Sequence, residues 1–90
     1  MSDQKYNGWT NYETWNYKLW LDNDKELNNS VFELVQTHKD TYDLSQELRK
    51  LAYDNAPTLV PSFYSDVMYG SMREVNFREI AESYLEEIKA

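Results

Sequence analysis

The sequence predicts an all-α protein, folded as a compact single-domain bundle of four to five short helices. Apolar residues recur at the three- and four-residue spacing of a helix along most of the chain, and residues that cap helices precede these stretches. No stretch shows the alternation typical of a strand, and only two glycines and two prolines interrupt the ninety residues. We expect residues 1–8 to form a flexible N-terminal lead and residues 9–90 to form the helical domain.

The first helix is predicted to begin at Thr10, because Thr10 and Glu13 have the spacing of a capping box, in which each side chain bonds a free backbone amide. It is expected to end near Asp22 and Asn23. Four apolar residues fall on one side of this helix and are predicted to face the core: Tyr12, Trp15, Leu19 and Trp20.

The second and third helices are predicted over residues 24–38 and 41–54. Their expected caps are Asn23 or Asp24, and Asp40 or Thr41. Their core stripes are Leu27, Val31, Leu34 and Val35 in one helix, and Leu44, Leu48, Leu51 and Ala52 in the other. We expect the single histidine, His38, to be a capping or half-buried residue at the end of the second helix. Pro57 ends the third, because the residue before a proline avoids helical geometry.

Two further helices complete the predicted bundle. Ser62 is expected to cap a fourth, shorter helix that carries Phe63, Tyr64, Val67 and Met68. Asn76 and Glu79 form a cap pair for the last helix. The apolar positions of that helix are Phe77, Ile80, Ala81, Tyr84, Leu85 and Ile88.

The charge of the chain restricts its partners. Sixteen acidic and nine basic residues give a formal net charge of −7, and because phosphates repel such a domain, direct binding of nucleic acid is not expected. Two interpretations stay open. Either the charge keeps a small protein soluble, or the acidic surface docks on a basic partner. No stretch approaches the roughly 20 apolar residues of a membrane span. The N-terminus has no signal-peptide core, so we expect a cytoplasmic protein.

Reactive groups are scarce. There is no cysteine, His38 has no second histidine beside it, and two isolated glycines cannot form a phosphate-binding loop. The segment from Asp22 to Glu26 resembles part of a calcium loop, but Leu27 stands where such a loop requires glycine. We therefore expect no enzymatic activity, no cofactor and no metal site.

Two groups of side chains are candidates for contact with a partner. The last helix carries an acidic row, consisting of Glu79, Glu82, Glu86 and Glu87, with Asp66 and Glu74 as outer candidates. Such a row is either a ridge of negative charge for a basic partner or the solvated face of a surface helix. Tyr6 and Tyr17 are expected to act as anchors if their side chains are exposed, because exposed tyrosines are enriched at binding hot spots.

Two segments resemble a known group of proteins. Residues 8–16, Gly-Trp-Thr-Asn-Tyr-Glu-Thr-Trp-Asn, and their continuation over residues 19–24 resemble the opening of a group of small uncharacterised proteins from phages and other mobile elements. Residues 75–82 resemble that group's C-terminal segment, in which tryptophan commonly stands at the position of Phe77. The resemblance implies a mobile-element setting, which favours a small inhibitor of a host or defence protein.

Our first hypothesis is therefore an acidic phage or mobile-element protein that binds and inhibits a host or defence protein with a basic surface. It would occupy a nucleic-acid-binding surface as a DNA mimic of the anti-CRISPR or anti-restriction type. The alternative is a structural or assembly module that self-associates, for example as a homodimer, through its aromatic N-terminal helix.

Overall fold

Five α-helices make up the fold in the computed structural model, which describes residues 6–89. The helices are α1 (Tyr12–Asn23), α2 (Lys25–Thr37), α3 (Thr41–Asn55), α4 (Phe63–Glu74) and α5 (Phe77–Lys89). The described residues contain no strand, and the all-α prediction is confirmed. None of the described helices is long and apolar enough to cross a membrane.

Side-chain caps set the start of the helices. Asp24, Asp40 and Ser62 cap α2, α3 and α4, as predicted. The predicted capping box of Thr10 and Glu13 is wrong, because Asn11 caps α1 instead. Asn11 Oδ1 accepts from the backbone N of Thr14 at 2.9 Å, which satisfies an amide that has no partner within the helix.

The core lies between α3 and α5, which form the most extensive helix pair, and α1 and α2 close it. Its buried members are Leu21, Val31, Val35, Leu44, Leu48, Ile80, Ala81, Tyr84 and Leu85. The predicted stripes of α2 and α3 are confirmed. That of α5 is confirmed except for Ile88, which is 50% exposed in the last turn. Burying one such aliphatic side chain stabilises the fold by about 1.5–3 kcal/mol.

The side of α1 that faces the core is not the predicted side. Its buried residues are Thr14, Lys18 and Leu21, with Tyr17 half-buried beside them. Three of the four predicted core residues are on the surface: Tyr12, Leu19 and Trp20 are 49, 41 and 58% exposed. The prediction is wrong because the inward polar groups of Thr14 and Lys18 have hydrogen-bonding partners, and buried polar groups are tolerated when they are paired.

α4 is only loosely embedded in the bundle. Of its twelve residues, Ser65 alone is buried, and the helix packs mainly on α1. Phe63, Tyr64 and Val67 are exposed by 73, 74 and 50%. On the side of α4 that faces α1, Met68 and Met72 are half-buried. α4 thus presents apolar surface on both sides.

Candidate functional site

A hydrogen-bond network ties the start of α1 to the start of α5. Thr14 Oγ1 donates to Asn11 Oδ1 at 2.6 Å and accepts from the backbone N of Asn76 at 2.8 Å. The backbone N of Thr10 donates to Glu79 Oε1 at 3.0 Å. The two segments that carry the sequence resemblance therefore meet in space, and their polar residues join the two ends of the chain.

A buried lysine pins the middle of α1 to α5. Lys18 is 8% exposed, and its Nζ lies 2.6 Å from Asp22 Oδ2 and 3.8 Å from Glu87 Oε2. The same ammonium lies 4.6 Å from the ring centroid of Tyr84 and 5.7 Å from that of Trp9. Tyr84 Oη donates to Asp22 Oδ1 at 2.8 Å, and burial, followed by this bond, raises the pKa of Tyr84 well above its usual range. The cluster is fully paired, so we assign it to stability.

An open apolar groove, the α1–α4 groove, runs between α1, α2 and α4 and has a volume of about 340 Å³. Its lining residues are Tyr12, Glu13, Asn16, Tyr17, Trp20, Leu27, Met68, Ser71, Met72 and Val75. Trp20 is the most exposed of the large apolar side chains in this lining, and Glu13 is its one charged member. The groove is therefore an apolar surface with a single negative charge at its edge.

Tyr17 contributes to this groove from within the fold. Its ring packs edge-on against Phe77 at a centroid distance of 5.8 Å. Its hydroxyl is buried and has no hydrogen-bond partner among the described residues. Burial raises the pKa of Tyr17 to about 12. The prediction that Tyr17 anchors a partner required an exposed side chain, and the structure does not meet that condition for the hydroxyl.

An aromatic cluster forms one end of α1. Tyr6 is 41% exposed, and its ring centroid lies 5.2 Å from that of Tyr12 and 4.9 Å from that of Trp15. Tyr6 is positioned by a turn in which Tyr6 and Trp9 exchange two backbone hydrogen bonds, of 2.7 and 2.8 Å. Gly8 adopts φ 89° in this turn, a conformation that glycine accepts without strain. Of the predicted flexible lead, residues 1–5 lie outside the described residues and residues 6–8 belong to this turn.

The acidic row is divided between two surfaces. Glu79, Glu82 and Glu86 line a shallow groove of about 230 Å³ beside Trp9. Glu87 points to another side, where it approaches Lys18. Glu79 is half-buried and already bonded to Thr10, and Glu82 Oε2 lies 3.4 Å from Arg78 Nε. Glu86 is exposed.

The two outer acidic candidates lie on α4 rather than with the acidic row. Asp66 is exposed in the first turn of α4, and Glu74 is exposed at its end. The backbone carbonyl of Glu74 accepts from Asn11 Nδ2 at 2.8 Å, which ties the end of α4 to α1. Neither carboxylate lines the groove beside Trp9. Among the described residues, no group of three His, Cys, Asp or Glu side chains is placed to hold a metal ion.

Of the residues that build the α1–α4 groove, sequence reasoning singles out Tyr17 and misses the others. The sequence predicts that Trp20 faces the core, and it does not mark Met68 and Met72 as partners of α1. They come from separate helices, so their meeting depends on tertiary packing. The one local signal was the strongly aromatic composition of residues 6–20.

Comparisons with curated proteins and with solved structures gave no match. A family model described as a family of unknown function, DUF7249, matches residues 2–89 and so spans nearly the whole chain. That description names no activity or ligand. The chain belongs to the DUF7249 family.

Proposed function

We propose that this chain is an acidic protein-binding module that acts without catalysis and docks on a partner protein through the α1–α4 groove. The observation that carries the proposal is the 58% exposure of Trp20, beside Tyr12 at 49% exposure, on a groove lined by Met68 and Met72. Contiguous exposed apolar surface marks interaction sites, and tryptophan and tyrosine are enriched among the residues that dominate binding. Methionine side chains adapt their shape to what they contact.

Charge favours a partner segment that is apolar on one side and basic at its edge. Glu13 is the one charged residue that lines the groove, and the chain as a whole carries a net charge of −7. An amphipathic helix with lysine or arginine beside its apolar face fits both properties. The long-range field of the chain would speed the encounter, since opposite charges steer association.

The resemblance to phage and mobile-element proteins supports a host or defence protein as this partner, encountered in the cytoplasm of the host cell. Glu79, Glu82 and Glu86 provide a second, negatively charged contact beside Trp9. A basic surface that binds nucleic acid is the kind of surface such carboxylates complement. We therefore propose inhibition by occupation of that surface.

Self-association is the second candidate, and the exposed side of α1 favours it. Tyr12, Leu19 and Trp20 are large apolar residues on one helix that the fold leaves uncovered. Two copies would bury these side chains against each other. A molar mass by light scattering that stays at one chain across all accessible protein concentrations would count against this candidate.

A pull-down from host lysate with three immobilised proteins tests the main proposal. Wild type is compared with Trp20→Ser and with Phe32→Ser, because Phe32 is equally prominent, 64% exposed, but lies on α2 outside the α1–α4 groove. We expect a protein that wild type and Phe32→Ser retain and Trp20→Ser loses, and that high salt elutes. Equal capture by all three proteins would refute the role of the groove, and capture unaffected by salt would refute the basic partner.

A further inference from the structure

A notch of about 270 Å³ lies where α3, the end of α4 and the start of α5 meet. Its lining residues are Arg49, Tyr53, Met72, Arg73, Val75 and Phe77. Two arginines from different helices thus line one small cavity. The chain as a whole is strongly acidic, with sixteen carboxylate residues against nine basic ones.

Neither guanidinium is neutralised within the described part of the chain. The ion pairs found there join Lys18 to Asp22 and Glu87, and Arg78 to Glu82. Arg49 instead lies over the ring of its neighbour Tyr53, at 5.4 Å from the ring centroid, which holds its planar group in place. Both arginines keep donors available, and the fork of a guanidinium matches the two oxygens of a carboxylate.

The notch continues into an apolar surface. Met72, Val75 and Phe77 also line a neighbouring groove of about 250 Å³. That groove is otherwise lined by Tyr17, Leu27, Ala52, Asn55, Ala56, Pro57 and Met68. A ligand whose anionic group binds the two arginines can therefore place an apolar group over Met72 and Phe77.

We propose that the notch binds a carboxylate on an apolar stem, either a small aliphatic or aromatic acid or the C-terminal residue of a peptide with a large apolar side chain. A single negative charge fits better than a phosphate dianion, because the field of a chain with net charge −7 opposes the second charge. The notch shares Met72 and Val75 with the α1–α4 groove, but its two arginines lie outside that groove, so the site does not depend on the partner proposed above.

The test is a nuclear magnetic resonance titration of the full chain with 3-phenylpropionate, and with 3-phenylpropionamide as a neutral probe of the same shape. We expect saturable shifts of the Met72 methyl group and of the Val75 and Phe77 amides with the acid, and about tenfold weaker binding of the amide. Arg49→Gln and Arg73→Gln should each weaken binding of the acid about tenfold. Both side chains are exposed, so the fold should persist, which the spectra of the variants verify.

Arg78→Gln is the matched control, because it removes one positive charge that is paired with Glu82 outside the notch. It should leave binding unchanged. Equal binding of acid and amide, shifts that survive both notch substitutions, or no saturable shift at any concentration of the acid would overturn the proposal. Stronger shifts of the same resonances with inorganic phosphate would overturn the choice of a carboxylate.

Two peptides that end in phenylalanine, one with a free and one with an amidated C-terminus, distinguish the two sources of the acid. Preference for the free terminus supports the site and assigns it to a polypeptide end. A response to 3-phenylpropionate without a response to the free peptide supports the site and assigns it to a small acid.

Discussion

Thr14 is the residue whose hydroxyl joins the two ends of the fold. It is fully buried, donates to Asn11 and accepts from the backbone of Asn76, which lies 62 positions further along the chain. Without this hydroxyl, the N–H of the half-buried Asn76 would lose its acceptor. This hydroxyl therefore ties the start of α5 to α1, together with the Thr10–Glu79 hydrogen bond and the Lys18 cluster.

Thr14→Val should lower the free energy of unfolding by about 1–3 kcal/mol, because a buried donor left unpaired costs its full desolvation penalty. Urea denaturation followed by circular dichroism measures the change. The matched control is Thr10→Val, since Thr10 is exposed and contributes its backbone N–H to the network; its effect should stay within about 0.5 kcal/mol. Equal effects of the two substitutions would show that the Thr14 hydroxyl is dispensable.

Tyr17 presents the opposite case, a buried hydroxyl with no partner among the described residues. Tyr17→Phe removes this unpaired group and keeps the ring against Phe77, so the free energy of unfolding should stay constant or rise by up to about 1 kcal/mol. Urea denaturation near neutral pH measures it. A clear loss of stability would mean that the hydroxyl has a partner after all.

The pKa of Tyr17 makes this comparison depend on pH. Burial raises the pKa from 10.0 to about 12, so the folded state keeps the phenol proton after the unfolded state releases it. The stability linked to that proton is complete below the unfolded pKa and is lost as the pH rises through the folded pKa. The advantage of Tyr17→Phe over wild type should therefore widen between about pH 10 and about pH 12. Tyr84 is present in both proteins, and the charge of Tyr17 is the smallest of the causes that raise the pKa of Tyr84, so the titration of Tyr84 largely cancels in the comparison. A constant difference would contradict the assignment.

The start of a helix depends on local hydrogen bonds, whereas the side that it turns inward depends on the neighbouring helices. A cap is a local event, in which Asp24, Asp40 or Ser62 bonds an amide three residues later. The inward side of α1 depends on α5, because Thr14 and Lys18 are buried only where Asn76 and Glu87 meet them. The periodicity of apolar residues predicts that the aromatic side of α1 faces the core, whereas the structure buries the side with Thr14 and Lys18.

The candidate site could be predicted where it lies on one helix and not where it joins several. Helical periodicity alone places Glu79, Glu82 and Glu86 on one side of α5, as the structure shows. Periodicity cannot show that Trp20, Leu27 and Met68 line one groove, since they belong to α1, α2 and α4. In the pattern of its own helix, each of the three has the spacing of an ordinary core residue.

α4 should be the first helix to open locally. It buries one residue, whereas α3 buries four, and elements with few buried contacts unfold at a lower free energy than the whole molecule. In hydrogen exchange at neutral pH, we expect the amides of α4 to exchange at least about tenfold faster than those in the middle of α3. Protection of α4 equal to that of α3 would show that its packing on α1 is tighter than its burial indicates.

Across the surface of the protein, exposed apolar groups are balanced by charge. Trp20, Phe63 and Tyr64 are more than half exposed, which favours association. The net charge of −7 at pH 7 opposes it, because like-charged copies repel one another. The isoelectric point of about 4.5 marks where that repulsion disappears.

We therefore expect the mean molar mass by light scattering to rise above the 10.8 kDa of one chain as the pH falls from 7 toward 4.5. Circular dichroism at each pH shows that the helices persist. A double variant, Trp20→Ser with Phe63→Ser, should associate less at every pH, because it removes two exposed rings without changing the charge. If the double variant associated as strongly as wild type, loss of charge alone would account for the assembly. A lower mass for the variant at the same pH would instead assign the assembly to the exposed rings of α1 and α4, since both proteins lose the same repulsion.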